Sequence, residues 1–335
     1  MSNPASLSGS NFAYAYGRIG VLQQKLINQG NIDRLVGAHT MVQLRQILSE
    51  VPFTAPVMPQ DSLGDVPFAM ERWLKKELTD LVPDDKKPIF NILWLREDQS
   101  IIAHFLKEYF GYTSGLTSVE KKSVTAYGIE ELENLILRGD AGTIDDPELI
   151  EFIATMKKDK TLTPSRIDHD VGVFIAAKQI QSAKLSGSTL ILRYVRHLID
   201  LQNIRTLRRL PEGQSGKGLF IPDGEINTTA LTERPKDIAE LIRASTLPSK
   251  LVDSMRHGDD STLMIERSLH QGLAHDIAEM RSIPLSMEAI FAYATMAQSQ
   301  IFMVRSILIG KDVGLNAQDI SRLLPPVYST SVQNA

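Results

Sequence analysis

The sequence contains no cysteine. That absence removes disulfides, thiolate metal sites and thiol nucleophiles together, and it fits a reducing compartment. Positive charge is not in excess either: 36 Lys and Arg stand against 40 Asp and Glu, a net charge of −4. No global attraction to nucleic acid or anionic lipid is expected from such a balance. Long apolar runs are missing too. The most apolar region, 289–309, is interrupted by Gln298, Ser299, Gln300 and Arg305, whereas a span needs about 18–20 nearly uninterrupted apolar residues. No direct membrane span is expected. The opening MSNPASLSGSNF lacks a basic region followed by an apolar core, so no signal peptide is expected. Strand signals are almost absent, because the β-branched residues are scattered among helical periodicities.

What is present is helix. With 335 residues, 43% hydrophobic and 23% charged, the chain has material for two or three folded units. The organising stretch is 286–328. Ser286 is placed to cap a helix whose apolar residues recur at Ile290, Tyr293, Ala297, Ile301, Val304 and Leu308, the spacing of one helical face. Gly310 reads as a left-handed stop beside Lys311. Asn316, with Asp319 three residues on, starts a short cap helix, and Pro325 and Pro326 end it. The same order of long helix, glycine corner and cap is read twice earlier. Helices are expected near 11–28, 32–36, 41–48, 68–81 and 89–110, with Gly111 and Gly115 at the corner and a Thr117–Glu120 capping box. The order restarts at 129–138, closed by Gly139, and continues with 147–156, 165–184 and 189–210. It restarts again at 237–243, 248–255 and 263–280.

Two signatures support the repetition. The first long helix of each round carries an apolar-acid-basic triplet: Met70-Glu71-Arg72, Ile167-Asp168-His169 and Ile265-Glu266-Arg267. The first and last caps share the spacing Gly115-Leu116-Thr117-x-x-Glu120 and Gly314-Leu315-Asn316-x-x-Asp319. The expected fold is therefore all-α, with three related helical domains over 1–128, 129–234 and 235–335. Each is longer than the roughly 20–50 residues of a solenoid repeat.

No set of residues reads as catalytic, cofactor-binding or metal-binding. There is no His-Glu-x-x-His, and His270 and His275 are five apart, off a shared helical face. The loop at 213–218 lacks the spacing of a phosphate loop. The acid pairs Asp84-Asp85, Asp145-Asp146 and Asp259-Asp260 have no further acid four residues on to share Mg²⁺; they read as turn and helix-start residues. The stretch 190–210 is richer. Its apolar residues fall on more than one stripe, so it should be buried on most sides. Asp200 and Asn203 share a face, and Arg196 lies one turn before Asp200. A buried carboxylate needs a partner, and Arg196 is the local candidate. Two readings stand: an internal ion pair, or a polar anchor against another subunit. Arg205, Arg208 and Arg209 form either a basic strip or ordinary solvated charges.

Several segments together resemble a known family: NFAYAYGR at 11–18, IDLQNIR at 199–205, FIPDG at 220–224 and VRSILIGK at 304–311, followed by Gly314-Leu315 and Tyr328. In this order they are similar to the C-type subunit family of the V/A-type (vacuolar-type) rotary ATPases and ATP synthases, whose eukaryotic relatives are the d-type subunits. The resemblance implies a pseudo-threefold, funnel-like all-α body without catalysis or cofactor of its own. It implies a central-stalk position on the cytoplasmic side, peripheral to the membrane. There it would couple the central shaft subunits of D/F type to the membrane proteolipid ring during ATP-linked H⁺ or Na⁺ transport. Arg196, Asp200, Asn203, Arg205 and Arg305 are the candidate structural or subunit-contact residues. The repeats differ there: Ala103 stands where the second has Arg205 and the third Arg305, and the third has Gln300 where the second has Asp200. The competing expectations are a Mg²⁺-dependent all-α enzyme and a helical scaffold for an unrelated partner.

Overall fold

The computed structural model describes residues 12–54, 62–118, 120–210, 216, 218–232 and 273–325. Among these every regular element is helical and there is no strand. In chain order the helices are α1 (Ala13–Gln23), α2 (Gln29–Gly37), α3 (Met41–Glu50), α4 (Val66–Leu81) and α5 (Asn91–Tyr109). They continue with α6 (Ile129–Glu133), α7 (Pro147–Lys158), α8 (Pro164–Leu185), α9 (Thr189–Arg209) and α10 (Thr228–Thr232). After a helical run at 273–281 come α11 (Met287–Asp312) and α12 (Ala317–Leu323). The helices expected at 237–255, the start of the one at 263–280, the triplet at Glu266, the pair Asp259-Asp260, and Tyr328 all lie outside the described residues.

Local chemistry sets most of the boundaries. Asn28, Thr40, Asp146, Thr163, Ser286 and Asn316 each accept a backbone N–H of the first turn they precede, the N-cap interaction. Pro147 and Pro164 open α7 and α8, where a missing N–H costs nothing. Thr117 and Glu120 form the expected capping box, with Thr117 N–H on Glu120 Oε2 at 2.8 Å and Glu120 N–H on Thr117 Oγ1 at 3.2 Å. The helix it starts is only a single tight turn, Glu120–Lys122. Beyond α6 the chain widens into a five-residue π-turn, Asn134–Arg138, which Gly139 closes in the left-handed region at φ 79°.

The expected stop at Gly310 is not there. Gly310 lies buried inside α11, and a Cβ on it would come within 2.9 Å of Ile320 Cγ1. Its use is close approach of α12 rather than termination. The left-handed residue is Gly314, at φ 79°. Leu315 N–H reaches Gly310 C=O at 2.8 Å and Gly314 N–H reaches Lys311 C=O at 3.1 Å, the paired bonds of a Schellman ending.

The chain divides into two compact units. One comprises Met1–Lys87, Ser188–Tyr194 and Asp237–Ala335; the other Pro88–Gly187 and Val195–Lys236. In the first, α11 is the central element and packs on α4 and α1. Besides the expected face, Phe291, Ala292 and Ala294 are also fully buried, so α11 is covered nearly all round. Each fully buried large side chain contributes roughly 1.5–3 kcal/mol. In the second unit α5 lies along α8. Leu95, Ile102, Phe105 and Leu106 meet Ile167, Val171 and Ile175 in one core with Leu132, Leu149 and Ile153. Phe152 stacks on Phe174 at its margin, with ring centroids 4.4 Å apart.

Gly17 and Gly20 sit exposed in α1, with nothing within 4 Å of a Cβ on either. Glycine in a helix interior costs about 0.5–1 kcal/mol relative to alanine. Gly17→Ala should therefore raise stability by that amount, read as a higher denaturant midpoint at unchanged slope.

Candidate functional site

The sequence singles out α9, and the structure buries it deeply. Ile191, Val195, Ile199, Ile204 and Leu207 are at most 2% exposed, and so are the polar His197, Asp200 and Asn203. Burying such groups is favourable only with partners in place. The expected pairing of Asp200 with Arg196 does not form. Arg196 Nη1 instead bonds Glu225 Oε1 at 3.1 Å. Asp200 accepts two consecutive backbone amides, Glu225 N–H on Oδ2 and Ile226 N–H on Oδ1, both at 3.0 Å. The loop 220–226 folds over the helix to deliver them, turning at Asp223, whose φ is 70°. One turn further on, Asn203 holds the same loop at Ile221. Its Oδ1 accepts Ile221 N–H and its Nδ2 donates to Ile221 C=O, both at 2.8 Å. Local sequence favoured the i, i+4 side-chain pair. A backbone loop won because two rigid amides satisfy a desolvated carboxylate without ordering a long side chain.

Burial pushes the Asp200 carboxyl up to about 6, against the pull of the Ile226 and Glu225 amides and of His197; the Glu225 charge adds to the rise. Because the folded pKa lies above the unfolded one, this group stabilises the fold more as pH falls from about 6 to about 4. The penalty for Asp200→Asn should therefore grow over that window. A carboxyl-carbon NMR titration of Asp200 should show a midpoint near 6.

Two further buried side chains grip backbone by two bonds: Gln300, which the sequence sets opposite Asp200, and Asp98, which does not stand out there. On α5, the fully buried Asp98 accepts Ala126 N–H on Oδ2 at 2.6 Å and Tyr127 N–H on Oδ1 at 3.1 Å. On α11, Gln300, 1% exposed, accepts Ile27 N–H at 2.6 Å and donates to Ile27 C=O at 2.9 Å. A signal was present. The offsets that align Ala103 with Arg205 and Arg305 also carry Asp98 onto Asp200 and Asp200 onto Gln300.

The acids of the helix triplets also find partners. Glu71 meets Arg305 Nη2 at 2.8 Å, with the guanidinium carbon 4.7 Å from the centre of the Phe68 ring. Asp168 meets Lys107 Nζ at 2.6 Å. Where the aligned positions on α9 and α11 carry Arg205 and Arg305, α5 has Ala103, and the base that meets Asp168 comes from Lys107 one turn later. Arg305 is thus a structural partner within the first unit. Arg205 lies half-buried on α9, and its neighbour Arg209 is exposed.

Other polar links join elements that the sequence left unconnected. Lys178 on α8 reaches Asp146 at 2.7 Å and Glu148 at 2.9 Å, while Tyr127 donates to Asp146 at 2.6 Å. Burial opposes the Asp146 charge, but the bonds from Lys178, Tyr127 and Leu149 outweigh it and hold that carboxyl below its usual range. In the first unit, Arg193 bridges Asp276 at 3.1 Å and also bonds Glu279, and Arg18 meets Glu77 at 2.6 Å. Among the described residues no group of three or more His, Asp or Glu is placed to hold a metal ion, and no helix is long and apolar enough to cross a membrane.

The family model of the ATP synthase (C/AC39) subunit matches residues 15–323. The chain belongs to that family. The match runs from α1 through the last residue of α12, and so takes in all four buried grips, at Asp98, Asp200, Asn203 and Gln300, and both triplet ion pairs. It agrees with the resemblance carried by the segments at 11–18, 199–205, 220–224 and 304–311. Membership makes the chain a V/A-type ATP synthase subunit with an all-α fold. No curated protein matches the chain.

Proposed function

We propose that this chain is the non-catalytic central-stalk adaptor of a V/A-type rotary ATPase. In this reading it sits on the cytoplasmic side, receives the D/F-type shaft and rests on the membrane proteolipid ring, passing torque between them for ATP-linked H⁺ or Na⁺ transport. The observation that carries the reading is the family match over residues 15–323. The physical character of the chain supports it. An adaptor under torque needs stiffness, and here long helices are tied to their loops by buried, two-point polar grips at Asp98, Asp200, Asn203 and Gln300. Such bonds are directional, and breaking one leaves a buried group unsatisfied.

The organisation proposed with it is three related domains over 1–128, 129–234 and 235–335 in a pseudo-threefold, funnel-like arrangement. Of the five candidate residues, Asp200, Asn203 and Arg305 serve internal structure. Contact with another subunit is assigned to Arg196, whose side chain is 42% exposed.

The test is reconstitution. The purified chain should join a shaft pair to a proteolipid ring in a pull-down that fails without it, and should hydrolyse no nucleotide alone. Nucleotide hydrolysis that survives further purification, or no retention on either partner, would overturn the reading.

A further inference from the structure

Three of the four buried grips share a place in the fold. Asp98, Asp200 and Gln300 stand at matching places on α5, α9 and α11. What they hold also matches. The gripped residues Tyr127, Ile226 and Ile27 each lie two positions before the first residue of a short helix: α6 begins at Ile129, α10 at Thr228 and α2 at Gln29. In the first two cases the held residue follows the gripping helix in the chain. In the third it lies near the N-terminus, ahead of every other repeated element.

We infer that the three grips are copies of one clasp arranged in cyclic order. The second long helix of each repeat holds the lead-in to the next repeat, and that of the third repeat holds the lead-in to the first. The inference rests on the three-repeat reading above and moves its second boundary from 234/235 to just before α10, so that α10 opens the third repeat as α6 opens the second. It assigns the segment around Ile27 to the closing contact of the series, the place that continuous chain fills after α5 and α9. The neighbouring contacts agree: α1, which precedes Ile27, packs on α11.

The odd residue in the series follows from what it must hold. A carboxylate only accepts, and Asp98 and Asp200 each receive two successive N–H groups. A carboxamide accepts and donates, and Gln300 pairs with both the N–H and the C=O of a single residue. Asn203 does the same at Ile221. The exchange of aspartate for glutamine in the third repeat therefore keeps the clasp and changes its partner's geometry. It also leaves the closing contact uncharged, so no ion is desolvated there.

Amide hydrogen exchange on the full chain tests the cycle, using Asp98→Asn, Asp200→Asn and Gln300→Glu. Each substitution keeps the side chain's size and places a donor against a donor, or an acceptor against an acceptor, at one gripped group. Exchange should rise about ten-fold or more at 126–133 for the first, at 225–232 for the second and at 27–37 for the third. The disturbance should run forward into the next repeat's short helix each time. A rise confined to the helix that carries the substitution would overturn the inference. So would a Gln300→Glu effect centred on 313–324 instead of 27–37. Should a variant fail to fold, exchange in the unsubstituted chain decides: the Ile27, Tyr127 and Ile226 amides must all be protected well above open-loop rates, and one at loop rates refutes the cycle. The measurement needs no shaft or ring, so it stands or falls separately from the reconstitution.

Discussion

Gly224→Ala should lower the stability of the chain by about 3 kcal/mol. An added Cβ would lie 2.1 Å from Asp200 Oδ1 and 3.0 Å from its carboxyl carbon, far inside contact distance. Neither side can yield cheaply. Asp200 is fully buried on the covered side of its helix, and the loop is fixed on both flanks, by Asn203 at Ile221 and by Asp200 itself at Glu225 and Ile226. The loop must lift, which takes the amides off the carboxylate and leaves a buried charge without donors. Chemical denaturation should show the loss as a shifted midpoint. The decisive comparison is the same substitution in an Asp200→Ala background, where the opposing carboxylate is gone. There Gly224→Ala should cost well under half as much, since contacting residues are not additive. Equal costs in both backgrounds would mean that the clash lies elsewhere.

Arg305→Met should cost about 2–4 kcal/mol. It takes the guanidinium from Glu71, whose side chain is 5% exposed, while the arginine side chain is itself only 22% exposed. Methionine replaces the stem's packing, so what is lost is chiefly the charge, its bond to Glu71 and its stacking over Phe68. Arg305→Lys should fall between, losing the planar stack but keeping a cation. Adding Glu71→Gln to Arg305→Met should recover part of the loss, because the acid is then no longer a buried ion lacking its base. A double-mutant cycle by denaturant midpoint, with slopes checked for constancy, reads the coupling directly. A coupling near zero would show that the pair contributes only packing.

The elements were legible in the sequence because the interactions that make helices are local. N-caps such as Ser286, Asp146 and Asn316 act within three residues, and prolines and left-handed glycines mark ends through their own backbone geometry. Gly310 was misplaced for the reason that local reading is blind to packing. A glycine used for close approach to Ile320 and one used for positive φ look alike in the sequence, and only the fold shows that the second is Gly314. The candidate site was half legible. The burial of α9 and the choice of Asp200 and Asn203 followed from hydrophobic stripes and from the cost of an isolated buried charge, whereas Arg305 was singled out with the family resemblance. Their partners did not follow. Asp200 chose backbone amides in a distant loop over Arg196 one turn away, and Gln300 reached back to Ile27.

By itself, then, the sequence determined an all-α chain, the helix limits set by caps and turns, and enough ordered motifs to resemble its family. Tertiary structure alone decided which polar group satisfies which. A side chain's hydrogen-bonding capacity is fixed by its identity, but the donor that meets it is fixed by how distant segments pack. Periodicity records which face is buried, not what lies against it.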